Sequence, residues 1–261
     1  MLYRVTDWDD AYANAAHIAE GAHYPARWQA AAAAFRAAHP PQALRGGHLF
    51  RPAGDARGLM VFIHGGYWMR FGPADWSHLA AGALARGWVC LMPAYPLAPR
   101  ARIAAMTAEV AASIAEATAL IPGPIAITGH SAGGHLAARM ICPGVLPDPV
   151  AARVSACLPI SPLSDLRPLM RTAMNATLAL DLPEALAESP ALLTPHEGIP
   201  VTVWVGGAER PEFLRQARVL ADLWAGMGAA TECVVDPGRH HFDVVDGLAD
   251  PGSPMMRRLL G

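Results

Sequence analysis

Short apolar runs recur along the chain at 59–63, 88–92, 125–128, 154–160, 201–205 and 231–235, each set off by glycine or proline. Most are apolar throughout rather than alternating, the pattern of strands covered on both faces. Between them, residues 77–86, 103–120, 134–141 and 212–227 read as helices, each long enough to carry the chain from one strand to a parallel neighbour. This alternation predicts an α/β fold built on a doubly wound, mostly parallel sheet. Ahead of the first strand, residues 25–38 open on Pro25 and contain the alanine tract Ala30 to Ala34, so a helix is expected there, within an N-terminal helical segment of about 1–45. One interval breaks the rhythm. Residues 161–200 are rich in proline with only short helical pieces, and a small cap-like insertion is expected there, over the strand ends where open α/β sheets bind ligands. The whole chain, 1–261, is expected to form a single domain.

Composition narrows the classes. The 261 residues are 53% hydrophobic and 16% charged, which excludes a disordered chain. A net charge of −2, with basic residues that are all arginine and scattered, leaves no patch for a phosphate backbone, so no nucleic-acid partner is expected. Met1 to Asp10 carries acids and no apolar core, and no later run reaches the ~20 apolar residues of a membrane span. No membrane association and a cytoplasmic location are therefore expected. Cys90, Cys142, Cys157 and Cys233 are dispersed without C-x-x-C spacing and read as thiols in a reducing compartment.

The chemistry concentrates at strand ends. The run 125–128 leads into Gly129-His130-Ser131-Ala132-Gly133 and then a helical stretch, the G-x-S-x-G of a nucleophile held on a sharp strand-to-helix turn. After the run 59–63 comes His64-Gly65-Gly66-Tyr67-Trp68. Alone, His-Gly-Gly reads as a strand-end turn. One strand-helix-strand unit ahead of the serine turn, it reads as a source of backbone N–H donors for a developing oxyanion, from Gly65, Gly66 and Tyr67, opposite the N–H of Ala132. A serine hydroxyl needs a base, and chain order places it after the run 231–235, at His241, with His240 as the alternative. The orienting acid is expected on the loop after 201–205 at Glu209, with Asp165, one strand earlier, as its rival. His64 and His130 are expected to shape their turns, and Tyr67 and Trp68 are candidate substrate-binding walls. No H-E-x-x-H, P-loop or post-strand G-x-G-x-x-G is present, so neither a metal nor a cofactor is expected.

With His64 to Trp68, Gly129 to Gly133 and Tyr95-Pro96-Leu97-Ala98-Pro99 in view, the chain resembles the α/β-hydrolase superfamily. Within it the chain looks like the kynurenine formamidase (arylformamidase) family and its esterase-like relatives. Asp165 to Leu169, Asn175, Pro211-Glu212-Phe213, Arg215-Gln216 and His241-Phe242 extend the likeness over about 59–242. The resemblance implies Ser131 as nucleophile, Glu209 as acid and His241 as base of a serine hydrolase. Its expected substrate is a small-molecule acyl ester or aryl formamide, with N-formylkynurenine and thioesters as alternatives; a homodimer is left open. A non-catalytic binding protein of the same fold would show a broken triad, whereas nucleophile, acid and base can all be nominated here in chain order.

Overall fold

The computed structural model describes residues 4–261; residues 1–3 of the N-terminal segment lie outside the described residues. Eight strands form one sheet: β1 (Gln42–Leu44), β2 (Gly47–Phe50), β3 (Leu59–Ile63), β4 (Val89–Met92), β5 (Ile125–His130), β6 (Val154–Ile160), β7 (Val201–Gly206) and β8 (Thr231–Asp236). Their spatial order is β1-β2-β4-β3-β5-β6-β7-β8. The ladders from β4 through β3 and on to β8 are all parallel, while β1 and β2 join antiparallel at one edge.

The near-continuous apolar runs have a direct cause in the pleat. On β3, Leu59, Val61 and Ile63 face one core while Met60 and Phe62 face the other; β4 divides the same way, Val89 and Leu91 against Cys90 and Met92. The first core is closed by the helices Ile103–Leu120, Ala132–Met140 and Pro211–Gly226, the second by Tyr24–Ala38, Pro254–Leu260 and the turn of 3₁₀ helix Pro73–Ala80 that runs into Ala81–Ala85. Ile103–Leu120 is long and apolar enough to cross a membrane by length and composition, but half of it is buried within the fold, as a core helix would be. Cys90, Cys142 and Cys157 are buried free thiols, and Cys233 is partly exposed.

Two parts of the chain differ from the sequence reading. The N-terminal segment, expected to be helical to about residue 45, turns into the β1–β2 hairpin, whose two-residue loop places Arg45 and Gly46 both at positive φ, as a tight hairpin turn requires. The interval 161–200 packs as short helices against the flank, where the buried Glu188 carboxylate accepts from Thr107 Oγ1 at 2.7 Å and pairs with Arg139 at 3.1 Å.

Candidate active site

Ser131 stands between β5 and the Ala132–Met140 helix at φ 58° and ψ −117°, a backbone strain that costs on the order of 1–3 kcal/mol. The turn is this tight because β5 and the helix lie directly on β3: a Cβ on Gly133 would sit 2.0 Å from the carbonyl oxygen of Ile63. Hydrogen bonds on both sides hold the serine in place, its N–H donating to the Ile160 carbonyl at 2.8 Å and its carbonyl accepting from His135 N–H at 3.0 Å.

The loop after β3 passes beside this turn. Tyr67 and Trp68 both take positive φ, and the N–H groups of Met69 and Arg70 close the loop on the Gly66 carbonyl at 3.0 and 3.1 Å. Among the described residues, the N–H groups of Gly65, Gly66, Tyr67 and Ala132 donate to no protein acceptor in these turns. They are donors in want of an acceptor, as an oxyanion site demands. Tyr95 braces the loop from behind: its ring stacks on His64 at 4.3 Å and its hydroxyl donates to the His64 carbonyl at 2.9 Å. Burial lowers the His64 imidazole pKa to about 4, so this ring is a neutral part of the turn.

The loops after β7 and β8 bring an acid and an imidazole together. His241 Nδ1 lies 2.6 Å from Glu209 Oε2, with both side chains almost wholly buried. The other carboxylate oxygen, Oε1, accepts from Gly206 N–H at 2.8 Å and from Ser161 Oγ at 2.5 Å. Ser161 follows β6 directly and was missed by the sequence reading; the signal for it was its position at the end of the one parallel strand between the serine and acid strands. The imidazole of His241 is further fixed by the Phe213 ring at 4.3 Å and the His130 ring at 4.6 Å. His130 Nε2 donates to the His241 carbonyl at 2.8 Å; burial, with repulsion from His241 second, drives the His130 pKa well below that of a free imidazole, so it acts as a neutral donor.

The two alternatives fall elsewhere. His240 Nε2 is 3.0 Å from the Tyr24 hydroxyl, and its Nδ1 accepts from the N–H groups of Phe242 and Asp243. Asp165 is engaged by Arg167, through Nε and Nη2 at 2.9 and 2.8 Å.

Ser131 and His241 line one cavity of about 590 Å³ whose walls include Trp28, Phe71, Trp76 and Phe242. Tyr67 lines it too. Trp68 does not: it is fully buried, edge-on to His135 at 5.1 Å, and belongs to the core. The wall opposite the strand ends is made by residues 9–28 of the N-terminal segment, and from the 161–200 insertion only Met174 reaches the cavity. Polar ties hold that wall: Tyr12 Oη donates to the buried Glu212 at 2.8 Å and accepts from Gln216 Nε2 at 3.0 Å, and Tyr67 Oη donates to the Tyr12 carbonyl at 2.6 Å. Among the described residues, no group of three or more His, Cys, Asp or Glu side chains is placed to hold a metal ion.

Residues 60–243 match the model of a family described by the alpha/beta hydrolase fold. The kynurenine formamidase of Salmo salar is 26% identical over 213 residues, which cover 77% of this chain and 71% of that protein, and the Danio rerio enzyme is 27% identical with the same shares covered. Among solved structures, a provisionally assigned thioesterase of Silicibacter sp. TM1040 is 46% identical with a TM-score of 0.93, over 98% of this chain and 100% of that one. An esterase of Pyrobaculum calidifontis, 20% identical with a TM-score of 0.66 over 86% of each chain, shares the fold.

Proposed function

Because the chain belongs to the α/β hydrolase fold family, we propose that it is a serine hydrolase that cleaves a small acyl ester or aryl formamide through Ser131, His241 and Glu209. One observation carries the reading: the 2.6 Å contact between His241 and Glu209, on the cavity that Ser131 also lines. With Nδ1–H donated to the carboxylate, the imidazole presents its unprotonated Nε2 as a base. Ser131 Oγ attacks the acyl carbon and its proton passes to Nε2, forming an imidazolium that Glu209 stabilises. Charge developing on the carbonyl oxygen is taken up by the free amides of Gly65, Gly66 and Ala132, with Tyr67 N–H as a further donor. The imidazolium protonates the departing alcohol or amine, and water then repeats the sequence on the acyl-enzyme.

The aromatic walls suit a flat leaving group, in keeping with the formamidases among the relatives. A thioester substrate is the second reading, favoured by the 46% identical relative. We place the reaction in the cytoplasm on the strength of the buried free thiols. The test compares kcat/KM for N-formylkynurenine, p-nitrophenyl acetate, p-nitrophenyl butyrate and a short-chain acyl thioester in wild type and Ser131→Ala. Loss of most turnover in a folded Ser131→Ala protein is the expected result; full activity in that variant overturns the mechanism, and the preferred substrate assigns the class.

A further inference from the structure

The cavity that Ser131 and His241 share is lined by two fully charged side chains, Asp9 and Arg70. They are not equivalent. Asp9 is committed to the fold, its Oδ1 accepting from Ala173 N–H at 2.7 Å and so tying the N-terminal wall to the insertion. The Arg70 guanidinium has neither a hydrogen-bond nor an ion-pair partner among the described residues, whereas Arg139, Arg167 and Arg215 nearer the flank are each paired with a carboxylate. Its marked neighbour is an aromatic face, with Cζ 6.0 Å from the centroid of Phe71, a contact that leaves the five N–H donors unused.

The backbone beneath this free cation is held firmly. Arg70 N–H and Met69 N–H both close on the Gly66 carbonyl, and a Cβ at Gly66 would lie 2.3 Å from the Arg70 carbonyl oxygen. The turn that offers the oxyanion amides and the turn that carries Arg70 are therefore one unit, so the Arg70 side chain starts from a fixed point beside the cavity. An unpaired planar fork beside a cavity with largely apolar and aromatic walls is suited to an anion with paired oxygens.

We infer that Arg70 is a specificity-determining residue that binds an anionic group, carboxylate or phosphate, carried by the substrate away from the bond being cleaved. This rests on the serine-hydrolase reading above. Arg70 is exposed, so the gain lies between that of a surface pair and that of a sheltered charge-assisted hydrogen bond, about tenfold in selectivity, and it is screened by salt.

The experiment uses three aryl acetates that differ in the group distal to the ester: 3-(4-acetoxyphenyl)propanoate, its uncharged propanamide counterpart, and (4-acetoxybenzyl)phosphonate. Wild type is expected to favour the anionic esters over the amide by about tenfold in kcat/KM, chiefly through KM, with the preference shrinking in 0.5 M salt. The ratio of anionic to neutral substrate should fall to about one in Arg70→Ala, stay partly above one in Arg70→Lys and invert in Arg70→Glu. Whether carboxylate or phosphonate gains more identifies the source of the anion. Because the readout is a ratio within each variant, altered expression or folding does not mimic it. Equal treatment of all three esters by wild type, or a preference that survives in Arg70→Ala, overturns the inference while leaving the hydrolase intact. If wild type hydrolyses none of the three, nor the p-nitrophenyl esters, the hydrolase reading falls and this inference with it.

Discussion

Replacing Glu209 by glutamine isolates what the carboxylate does, because the change is isosteric and the site is closed. On the wild-type acid, Oε1 accepts from Gly206 N–H and Ser161 Oγ, and Oε2 faces His241 Nδ1. Two donors converging on Oε1 oblige the glutamine oxygen to take that place, which turns the amide NH₂ toward Nδ1. The imidazole must then accept at Nδ1 and carry its proton on Nε2, the tautomer that cannot take a proton from Ser131, and a neutral amide gives the imidazolium no stabilising charge. The equivalent change in a serine protease triad lowers kcat about 10⁴-fold, or about 5.5 kcal/mol of transition-state stabilisation. The assay is kcat on p-nitrophenyl acetate at saturation, with thermal unfolding beside it to show that Glu209→Gln is folded. A folded variant within about tenfold of wild type would refute the orienting role of Glu209.

Ser161→Ala removes one of the two donors to Oε1 of the buried Glu209 carboxylate and should lower both stability and transition-state stabilisation by a combined 1.5–3 kcal/mol or so, seen in urea unfolding and in kcat with KM little changed; no effect on either would remove Ser161 from the site. Tyr12→Phe strips a hydroxyl from the buried Glu212–Gln216 cluster and should cost about 1–3 kcal/mol in urea unfolding while raising KM more than it lowers kcat, since the wall and not the triad is disturbed. Burial holds His64 and His135 at pKa values of about 4, against 6.5 in an unconstrained chain. Between those values the unfolded chain binds protons that the folded one refuses. The contribution of this pair is therefore constant well above pH 6.5 and falls as pH drops, by about 3 kcal/mol for the two together between pH 6.5 and 5; a flat unfolding free energy over that range would contradict it.

The parts of this protein that could be read from its sequence are those whose pattern is local. Each central strand is a short apolar run between turn residues, and the serine turn announces itself because only glycine fits where Gly133 meets Ile63. The antiparallel pair at one side of the sheet lacks that signature: β1 and β2 are three and four residues long, and their pairing depends on a turn at Arg45-Gly46 rather than on an apolar run. The cavity wall was illegible for a different reason. Tyr12 reaches Glu212 across 200 positions, and nothing in the spacing of either residue marks the other as its partner. Trp68 shows the converse error, a large aromatic beside a glycine-rich loop that looks like a substrate wall yet points into the core against His135.

Parallel connections explain why the candidate groups meet. Every crossover helix returns the chain to the amino edge of the sheet, so each successive strand from β5 to β8 adds one loop at the same carboxyl edge. Four neighbouring strand ends supply Ser131, Ser161, Glu209 and His241 in turn, and the hydroxyl from β6 reaches the acid from β7, which holds the imidazole from the loop after β8. The geometry of these candidate groups is thus a property of the sheet register. The cavity wall is not, because residues 9–28 come from before the first strand and are held by side-chain ties to the Pro211–Gly226 helix and to Tyr67. The strand-end groups and the N-terminal wall are built on separate supports. Changes in that wall are therefore expected to alter the ratio of kcat/KM between substrates, whereas changes that shift β6 or β7 are expected to lower kcat on all of them alike.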